Sequence, residues 1–225
     1  AVLPADAASA RHRDFRGERL GAEPPAGHGD DEFGHGEPGS AFGRMHGRAG
    51  GPGTVLGLEC AGEVMDVGVN VRDFSPGDRV MASSRGAYAE IAVADVGRVA
   101  KLPRAGMGFE EAATLPVALQ TMHDAIMTNG GMQKGDAVLI QGASAGVGLM
   151  GLQIARAMGA GTVIGSSTHA GRRARLRDFG ADLAVDTRDD KWVQKVLDAT
   201  GGAGVDVAVD QLSGATTNQT LAATR

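Results

Sequence analysis

The feature that most constrains the fold is a glycine-rich turn between an apolar run and a helical pattern. Residues 138–148 read Val-Leu-Ile-Gln-Gly-Ala-Ser-Ala-Gly-Val-Gly. The β-branched and aliphatic residues favour a strand, and the small residues that follow let another group approach the backbone closely. A helix that starts here has unpaired N–H groups and a partial positive charge at its N-terminus. The segment therefore predicts a strand–turn–helix unit that binds the pyrophosphate of a dinucleotide.

The glycine spacing can be matched to the fingerprint G-x-G-x-x-G in two frames. A literal match uses Gly146, Gly148 and Gly151. The other frame begins at the strand end and places Ala143, Ala145 and Gly148 at the three positions. We favour the second frame, because the first glycine of the fingerprint belongs in the turn directly after the strand. Gly151 is then predicted to allow close packing of the helix on the sheet.

The second half of the chain alternates between strand and helix patterns. We predict strands at 137–141, 162–166, 183–186 and 205–210, and helices at 147–158, 172–179, 190–199 and from about 215. This alternation is typical of βαβ units and predicts a doubly wound parallel sheet. Upstream we predict strands at 62–67, 79–82, 87–93 and 99–101, a turn at 75–78, and helical patterns at 109–113 and 116–127. The first half is therefore a small β-rich unit.

The end of the second predicted strand indicates which dinucleotide is bound. NAD sites usually carry an Asp or Glu there for the ribose hydroxyls. This chain instead has Ser166, Ser167 and Thr168, followed by Arg172 and Arg173. Small hydroxyls and a cation suit a 2′-phosphate, so the pattern favours NADPH over NADH, with Arg172 as the first candidate. The alternative is that the arginines form a solvated helix face.

Two further side chains are assigned structural roles from their local patterns. His123 lies among apolar residues of a helical pattern and is predicted to be in the core. Tyr88 is predicted to pack within a strand.

Charge and cysteine content exclude several classes of protein. The net charge is −5 and the pI about 5.7, and no basic stripe stands out, so we expect no nucleic-acid or membrane partner. The single cysteine, Cys60, excludes a disulfide framework and any multi-cysteine zinc site. No bound metal is expected. With no apolar run of membrane-spanning length and no signal-peptide pattern, the expected location is the cytoplasm.

Residues 1–53 differ in composition from everything that follows. They hold 12 of the 36 glycines and 5 of the 8 prolines, and no Val, Ile or Thr occurs between Leu3 and Gly53. Such a segment lacks the apolar area needed to offset chain entropy. We interpret it as a degenerate or disordered leader, and a frameshifted or wrongly assigned coding start is one hypothesis for its origin.

Five segments, in order, resemble one enzyme family. They are residues 55–64, 74–80, 87–90, 112–116 and 142–148. Together they are similar to the zinc-free quinone oxidoreductase branch of the medium-chain dehydrogenase/reductase superfamily, over roughly residues 54–225. The resemblance implies an α/β fold with a partial GroES-like β-barrel domain at 54–108. It also implies an incomplete Rossmann domain at 109–225, a doubly wound parallel sheet truncated at the C-terminus.

The resemblance also implies a cofactor, a site and an activity. NADPH would lie in the cleft, with contacts from Thr121, Ser144, Ala145, Gly146, Val147, Gly148, Ser166 and Arg172. A family tyrosine near the third strand is replaced by Thr187. The implied reaction is hydride transfer to a quinone or an α,β-unsaturated carbonyl, although no catalytic residue can be assigned. The alternatives are an enoyl reductase acting on thioesters, as in polyketide assembly, and a cofactor-binding chain without turnover.

The family comparison yields two more expectations. Leu58 stands where zinc-using relatives have a histidine ligand, and leucine cannot coordinate a metal, so the reaction is expected to be zinc-independent. Family members commonly form homodimers through a sheet strand, and we expect that strand to be missing before Arg225. The last predicted strand, 205–210, is accordingly expected to be an open edge.

Overall fold

A computed structural model describes Val2–Pro4, residues 55–103 and residues 106–225. The chain divides into two compact units, Ala1–Ala113 and Thr114–Arg225. The leader predicted at 1–53 lies outside the described residues apart from Val2–Pro4. Those three residues form strand β1, which the composition of the leader did not predict.

The first unit contains two small sheets. The strands after β1 are β2 (Glu59–Glu63), β3 (Arg79–Ser83), β4 (Ala92–Ala94) and β5 (Val99–Lys101). Strands β2, β3 and β5 form an antiparallel sheet in the order β2-β3-β5, and β1 pairs with β4 in parallel. The unit ends with a short helix, α1 (Phe109–Ala112). Strand β4 covers only the end of the predicted strand 87–93, because residues 88–90 form a bend.

The turn before β3 forms as its sequence predicts. Gly77 has a φ of +89°, which glycine adopts without strain. The N–H of Asp78 donates to the carbonyl of Ser75, and the N–H of Ser75 donates to the carboxylate of Asp78. An ion pair of 2.9 Å joins Asp78 to Lys101 on β5. The turn therefore anchors β3 beside β5, over a small core of Val64, Val80, Ala82 and Ala94.

The second unit is built on a four-stranded parallel sheet. Its strands are β6 (Ala137–Ile140), β7 (Thr162–Ser166), β8 (Leu183–Val185) and β9 (Val207–Val209), in the order β8-β7-β6-β9. This order is the 3-2-1-4 arrangement of a Rossmann sheet, which confirms the predicted doubly wound fold.

Helices precede, connect and follow the strands of the sheet. They are α2 (Pro116–His123), α3 (Gly146–Ala157), α4 (Ala170–Ala174), α5 (Trp192–Ala199) and α6 (Thr217–Ala222). Helix α2 continues as a π-helical segment, Asp124–Asn129, and the predicted helix 172–179 is divided into α4 and a 3₁₀ turn, Leu176–Phe179.

Core side chains cover both faces of this sheet. On one face Leu139 and Ile164 pack with Trp192, which is fully buried. On the other face Val138 and Ile140 pack with residues of α2 and α3. Both faces of the central strands are thus dry, which explains why β6 reads as a continuous apolar run rather than an alternating one.

Strand β9 lies at an edge of the described sheet, as predicted, but the start of the predicted strand 205–210 is paired. The N–H of Val205 donates to the carbonyl of Ala223, and the N–H of Arg225 donates to the carbonyl of Val205. These bonds form a parallel bridge between Val205 and Thr224, and Arg225 also forms an ion pair with Asp206. The segment after α6 therefore returns beside the start of β9 and satisfies backbone groups there.

Candidate functional site: a glycine loop at the start of a helix

The glycine loop connects the carboxyl end of β6 to the N-terminus of α3. Gly142, two residues after β6, has a φ of +67°, and α3 begins at Gly146. Ala145 occupies the N-cap position, and no side chain caps the helix. The N–H groups of the first helical turn have no partner within a helix. The loop thus presents a positively polarised helix end to an exposed surface at Ala145 and Gly146.

Three glycines of this segment have different surroundings. A Cβ on Gly148 would lie 2.7 Å from both the Cα of Ala143 and the carbonyl oxygen of Gly142, so the helix and the loop touch there through backbone. A Cβ on Gly146 would meet nothing within 4 Å. The contact between Gly148 and Ala143 agrees with the frame that starts at the strand end. A Cβ on Gly151 would lie 2.3 Å from the Cε of Met122 on α2 and 3.4 Å from the Cδ1 of Ile140, so Gly151 faces a helix as well as the sheet.

Two serines at the end of β7 hold the loop from behind. The N–H of Gly142 donates to the hydroxyl of Ser166 over 3.0 Å, and the hydroxyl of Ser167 bonds that of Ser144 over 2.9 Å. Ser166 is buried, with 1% exposed surface, whereas Ser144 is partly exposed. Ser166 thus bonds the loop, and its predicted contact with a cofactor phosphate stays a prediction.

A loop after β9 lies against the glycine loop. A Cβ on Gly142 would be 3.0 Å from the Cδ2 of Leu212. Burial raises the pKa of Asp210, but the N–H groups of Ser213 and Leu212 bond its carboxylate, and its pKa is lowered overall. Sequence reasoning did not single out this loop, because nothing in its local pattern shows that it reaches a turn about 70 residues away.

Basic side chains cluster at the carboxyl ends of β7 and β8. Arg172 is exposed in the first turn of α4, whose N-cap is the imidazole of His169. Asp186 accepts hydrogen bonds from Arg173 and Arg188, at 2.9 and 2.8 Å. The side-chain and backbone hydrogen bonds from Arg188 hold the pKa of Asp186 far below its ordinary value. The carboxylate therefore stays charged and fixes two guanidinium groups beside the strand ends.

The predicted site residues occupy four places. Ser144, Ala145, Gly146, Val147 and Gly148 form the loop and the start of α3. Ser166 lies behind the loop, Arg172 lies on α4, and Thr121 is exposed on α2. Thr187 follows β8 and is partly buried.

Two predictions about single side chains are wrong. His123 is exposed rather than in the core, and it lines a surface groove with Leu119, Ile154 and Met158. Tyr88 is 78% exposed and lies in a bend rather than packing within a strand. In both cases the preceding residue, Met122 or Ala87, is buried, so the error is one of side-chain direction.

The described residues contain neither a candidate metal cluster nor a candidate membrane span. No group of three or more His, Cys, Asp or Glu side chains there is placed to hold a metal ion. No described helix is both long enough and apolar enough to cross a membrane.

Comparison with known families accounts for both units. Residues 38–104 match the alcohol dehydrogenase GroES-like domain, and residues 146–225 match a family described as zinc-binding dehydrogenase. The chain belongs to the medium-chain dehydrogenase/reductase superfamily. The two matches follow each other in the order that the sequence predicts for a GroES-like domain and a Rossmann domain.

The similar proteins include polyketide synthases and quinone oxidoreductases. Erythronolide synthase EryA2 of Saccharopolyspora erythraea is 37% identical over 71% of this chain, which covers 4% of that protein. Escherichia coli quinone oxidoreductase, solved with NADPH, is 29% identical with a TM-score of 0.65, over 76% of this chain and 53% of that one. The CurK enoyl reductase is 30% identical with a TM-score of 0.65, over 76% of this chain and 51% of that one. The chain thus spans about half the length of these structures and a small part of the synthase.

Proposed function

We propose that this chain binds NADPH at the glycine loop and is part of an oxidoreductase that reduces a quinone or an α,β-unsaturated carbonyl without zinc. The observation that carries the proposal is the loop itself. A turn with positive φ at Gly142 leads into an uncapped helix N-terminus, and Gly146 leaves open space beside it. A dinucleotide pyrophosphate supplies the negative charge and the acceptors that such a helix end favours.

The identity of the nucleotide is argued from charge. No carboxylate follows β7 directly, and the acid after β8, Asp186, is bonded to Arg173 and Arg188. Two arginines and one aspartate leave a net positive charge, to which the exposed Arg172 adds. An anionic 2′-phosphate suits this cluster better than a ribose hydroxyl does. NADPH is therefore the proposed form of the cofactor, as in the Escherichia coli neighbour.

The absence of zinc is proposed from residue chemistry. Leu58 stands at the position where zinc-using relatives carry a histidine, and its side chain has no donor atom. Without a Lewis acid, the acceptor itself must carry the developing negative charge. Quinones and conjugated carbonyls do so by delocalisation, which makes them suitable substrates.

The cofactor would supply the hydride when bound. The residues of this chain bind and orient it: the loop would position the pyrophosphate, and the basic residues after β7 and β8 would position the adenosine end. Thr121 is proposed to lie near the nicotinamide half, on the evidence of the family pattern alone.

A second candidate substrate is an enoyl thioester. It is favoured by the relationship to a polyketide synthase and to the CurK enoyl reductase. The chemistry is the same in outline, because an enoyl thioester is also a conjugated acceptor. A third candidate is a chain that binds the cofactor without turnover.

Calorimetric titration of the chain with NADPH, and separately with NADH, tests the first part of the proposal. We expect NADPH to bind more tightly, and equal or absent binding would refute the assignment. NADPH oxidation with 1,4-benzoquinone, 9,10-phenanthrenequinone or a crotonyl thioester then distinguishes the substrates. Binding without oxidation of NADPH by any of these would support the third candidate.

A further inference from the structure

A hydrogen-bond network of buried polar side chains lies behind the glycine loop. Gln141, Ser166 and Thr220 are 0%, 1% and 4% exposed. The hydroxyl of Ser166 donates to the Oε1 of Gln141 over 2.5 Å, and the Nε2 of Gln141 donates to the hydroxyl of Thr220 over 3.0 Å. Gln141 lies in the loop, Ser166 in β7 and Thr220 in α6. No local sequence pattern predicts that these three residues meet.

Backbone groups at the two ends of this hydrogen-bond network determine the direction of its bonds. The N–H of Gly142 can only donate, so the hydroxyl of Ser166 accepts there and keeps its own proton free to donate to Gln141. At the other end the carbonyl of Thr216 can only accept, so the hydroxyl of Thr220 donates to it and must accept from Gln141. These constraints also fix which end of the Gln141 amide faces each hydroxyl.

We propose that Gln141 is a positioning residue that couples helix α6 to the conformation of the glycine loop, and so to the affinity for the cofactor. Its amide is both acceptor and donor, as the network requires, and its backbone is held as well. The N–H donates to the carbonyl of Val209 and the carbonyl accepts from Gln211. Loss of the Thr220 hydroxyl would leave a buried amide donor unpaired and displace the Gln141 side chain. Ser166 would then hold Gly142 less firmly.

The consequence for affinity rests on the proposed function, whereas the consequence for the loop does not. Two readouts are therefore needed. The first is the hydrogen-exchange rate of the Gly142 amide in the free chain, measured by NMR. The second is the dissociation constant for NADPH, measured by calorimetry on the same samples.

The test variants remove one hydroxyl each. Thr220→Val and Ser166→Ala interrupt the hydrogen-bond network at its two ends. Thr220→Ser retains the hydroxyl and should restore the network. Thr224→Val is the matched control. The hydroxyl of Thr224 donates to the backbone carbonyl of Thr220 and takes no part in the side-chain network. If Thr220→Val does not fold, Thr220→Ala takes its place.

We expect Thr220→Val and Ser166→Ala each to speed exchange of the Gly142 amide and weaken NADPH binding by about fivefold, the factor that corresponds to one neutral hydrogen bond. The double variant should bind no more weakly than Ser166→Ala alone, because the connection is already cut. Thr220→Ser and Thr224→Val should match the wild type. Wild-type exchange and affinity in Thr220→Val, or additive losses in the double variant, would overturn the inference. If the wild-type protein does not bind NADPH but the two variants still exchange the Gly142 amide faster, the proposed function is refuted and the coupling of α6 to the loop stands.

Discussion

The backbone contact beneath Gly148 gives the sharpest prediction, for the substitution Gly148→Ala. The added Cβ would lie 2.7 Å from the Cα of Ala143, 2.7 Å from the carbonyl oxygen of Gly142 and 2.9 Å from the carbonyl carbon of Ala143. All three atoms belong to the backbone of the loop. The loop cannot yield without a shift of its own hydrogen bonds to β7, so the clash cannot be relieved by one side-chain rotation.

The expected loss of stability is the difference between two effects. Overpacking of this kind costs about 1–3 kcal/mol. Replacing glycine by alanine inside a helix returns about 0.5–1 kcal/mol. Taking the middle of each range, we expect Gly148→Ala to lower the free energy of unfolding by about 1 kcal/mol. Gly151→Ala, three residues along the same helix, is the control: its Cβ meets chiefly the terminal methyl of Met122, which can rotate away.

The assay is urea unfolding followed by the fluorescence of Trp192. It is the only tryptophan of the chain and is fully buried in the second unit, so its signal reports on the unit that contains the loop. We expect a lower urea midpoint for Gly148→Ala and a midpoint close to wild type for Gly151→Ala. Equal midpoints for Gly148→Ala and wild type, or a larger loss for Gly151→Ala, would refute the reasoning about the helix–loop contact.

Three further predictions concern the cofactor and the charge cluster. Gly146→Ala should not lower the urea midpoint, because its Cβ enters open space. It should weaken NADPH binding about tenfold in calorimetry by occupying the approach of the pyrophosphate, and unchanged affinity would contradict the placement. Arg172→Ala should weaken NADPH binding about tenfold with little effect on NADH binding. The control is Arg175→Ala, which removes a side chain paired with Asp178 and should bind both nucleotides as the wild type does. Equal losses for the two nucleotides in Arg172→Ala would show that Arg172 does not bind the 2′-phosphate. The pKa of Asp186 lies far below its usual value, so its contribution to stability is present above about pH 4 and is lost as the pH falls further. Asp186→Asn should therefore reduce the urea midpoint at pH 7 and differ less from the wild type at pH 3. The same difference at both pH values would show that the ion pairs of Asp186 are not the cause.

The sequence predicted the parts of the fold that depend on local patterns. The run Val138–Ile140, the turn at Gly142 and the helix after Ala145 are adjacent in sequence, and each has a distinct composition. Strand 162–166 was predicted with the bounds that the structure shows, and the β-branched pair Val163 and Ile164 at its centre is the pattern that indicates it. Buried parallel strands are recognisable in this way since both of their faces are apolar.

Predictions about the direction of single side chains were less successful. His123 follows the buried Met122, and Tyr88 follows the buried Ala87. A helical or strand pattern in a short element permits either neighbour to face the core, and the π-helical turn after His123 changes the phase of the pattern further. Exposure at these positions is decided by packing partners that a single sequence does not reveal.

The same distinction separates two properties of the glycine loop. The proposal that it receives a phosphate rests on Gly142, Gly146 and the helix start, all within a few residues, and could be made from the sequence. Its rigidity is supplied by the hydroxyls of Ser166 and Ser167 and by the amide of Gln141, whose partner Thr220 is 79 positions away. A substitution in α6 is therefore expected to change the proposed phosphate site without altering any residue of the fingerprint. For that reason, two proteins with identical fingerprints are expected to differ in cofactor affinity whenever the buried hydrogen-bond network behind the loop differs. Thr220→Val is the smallest change that creates such a pair.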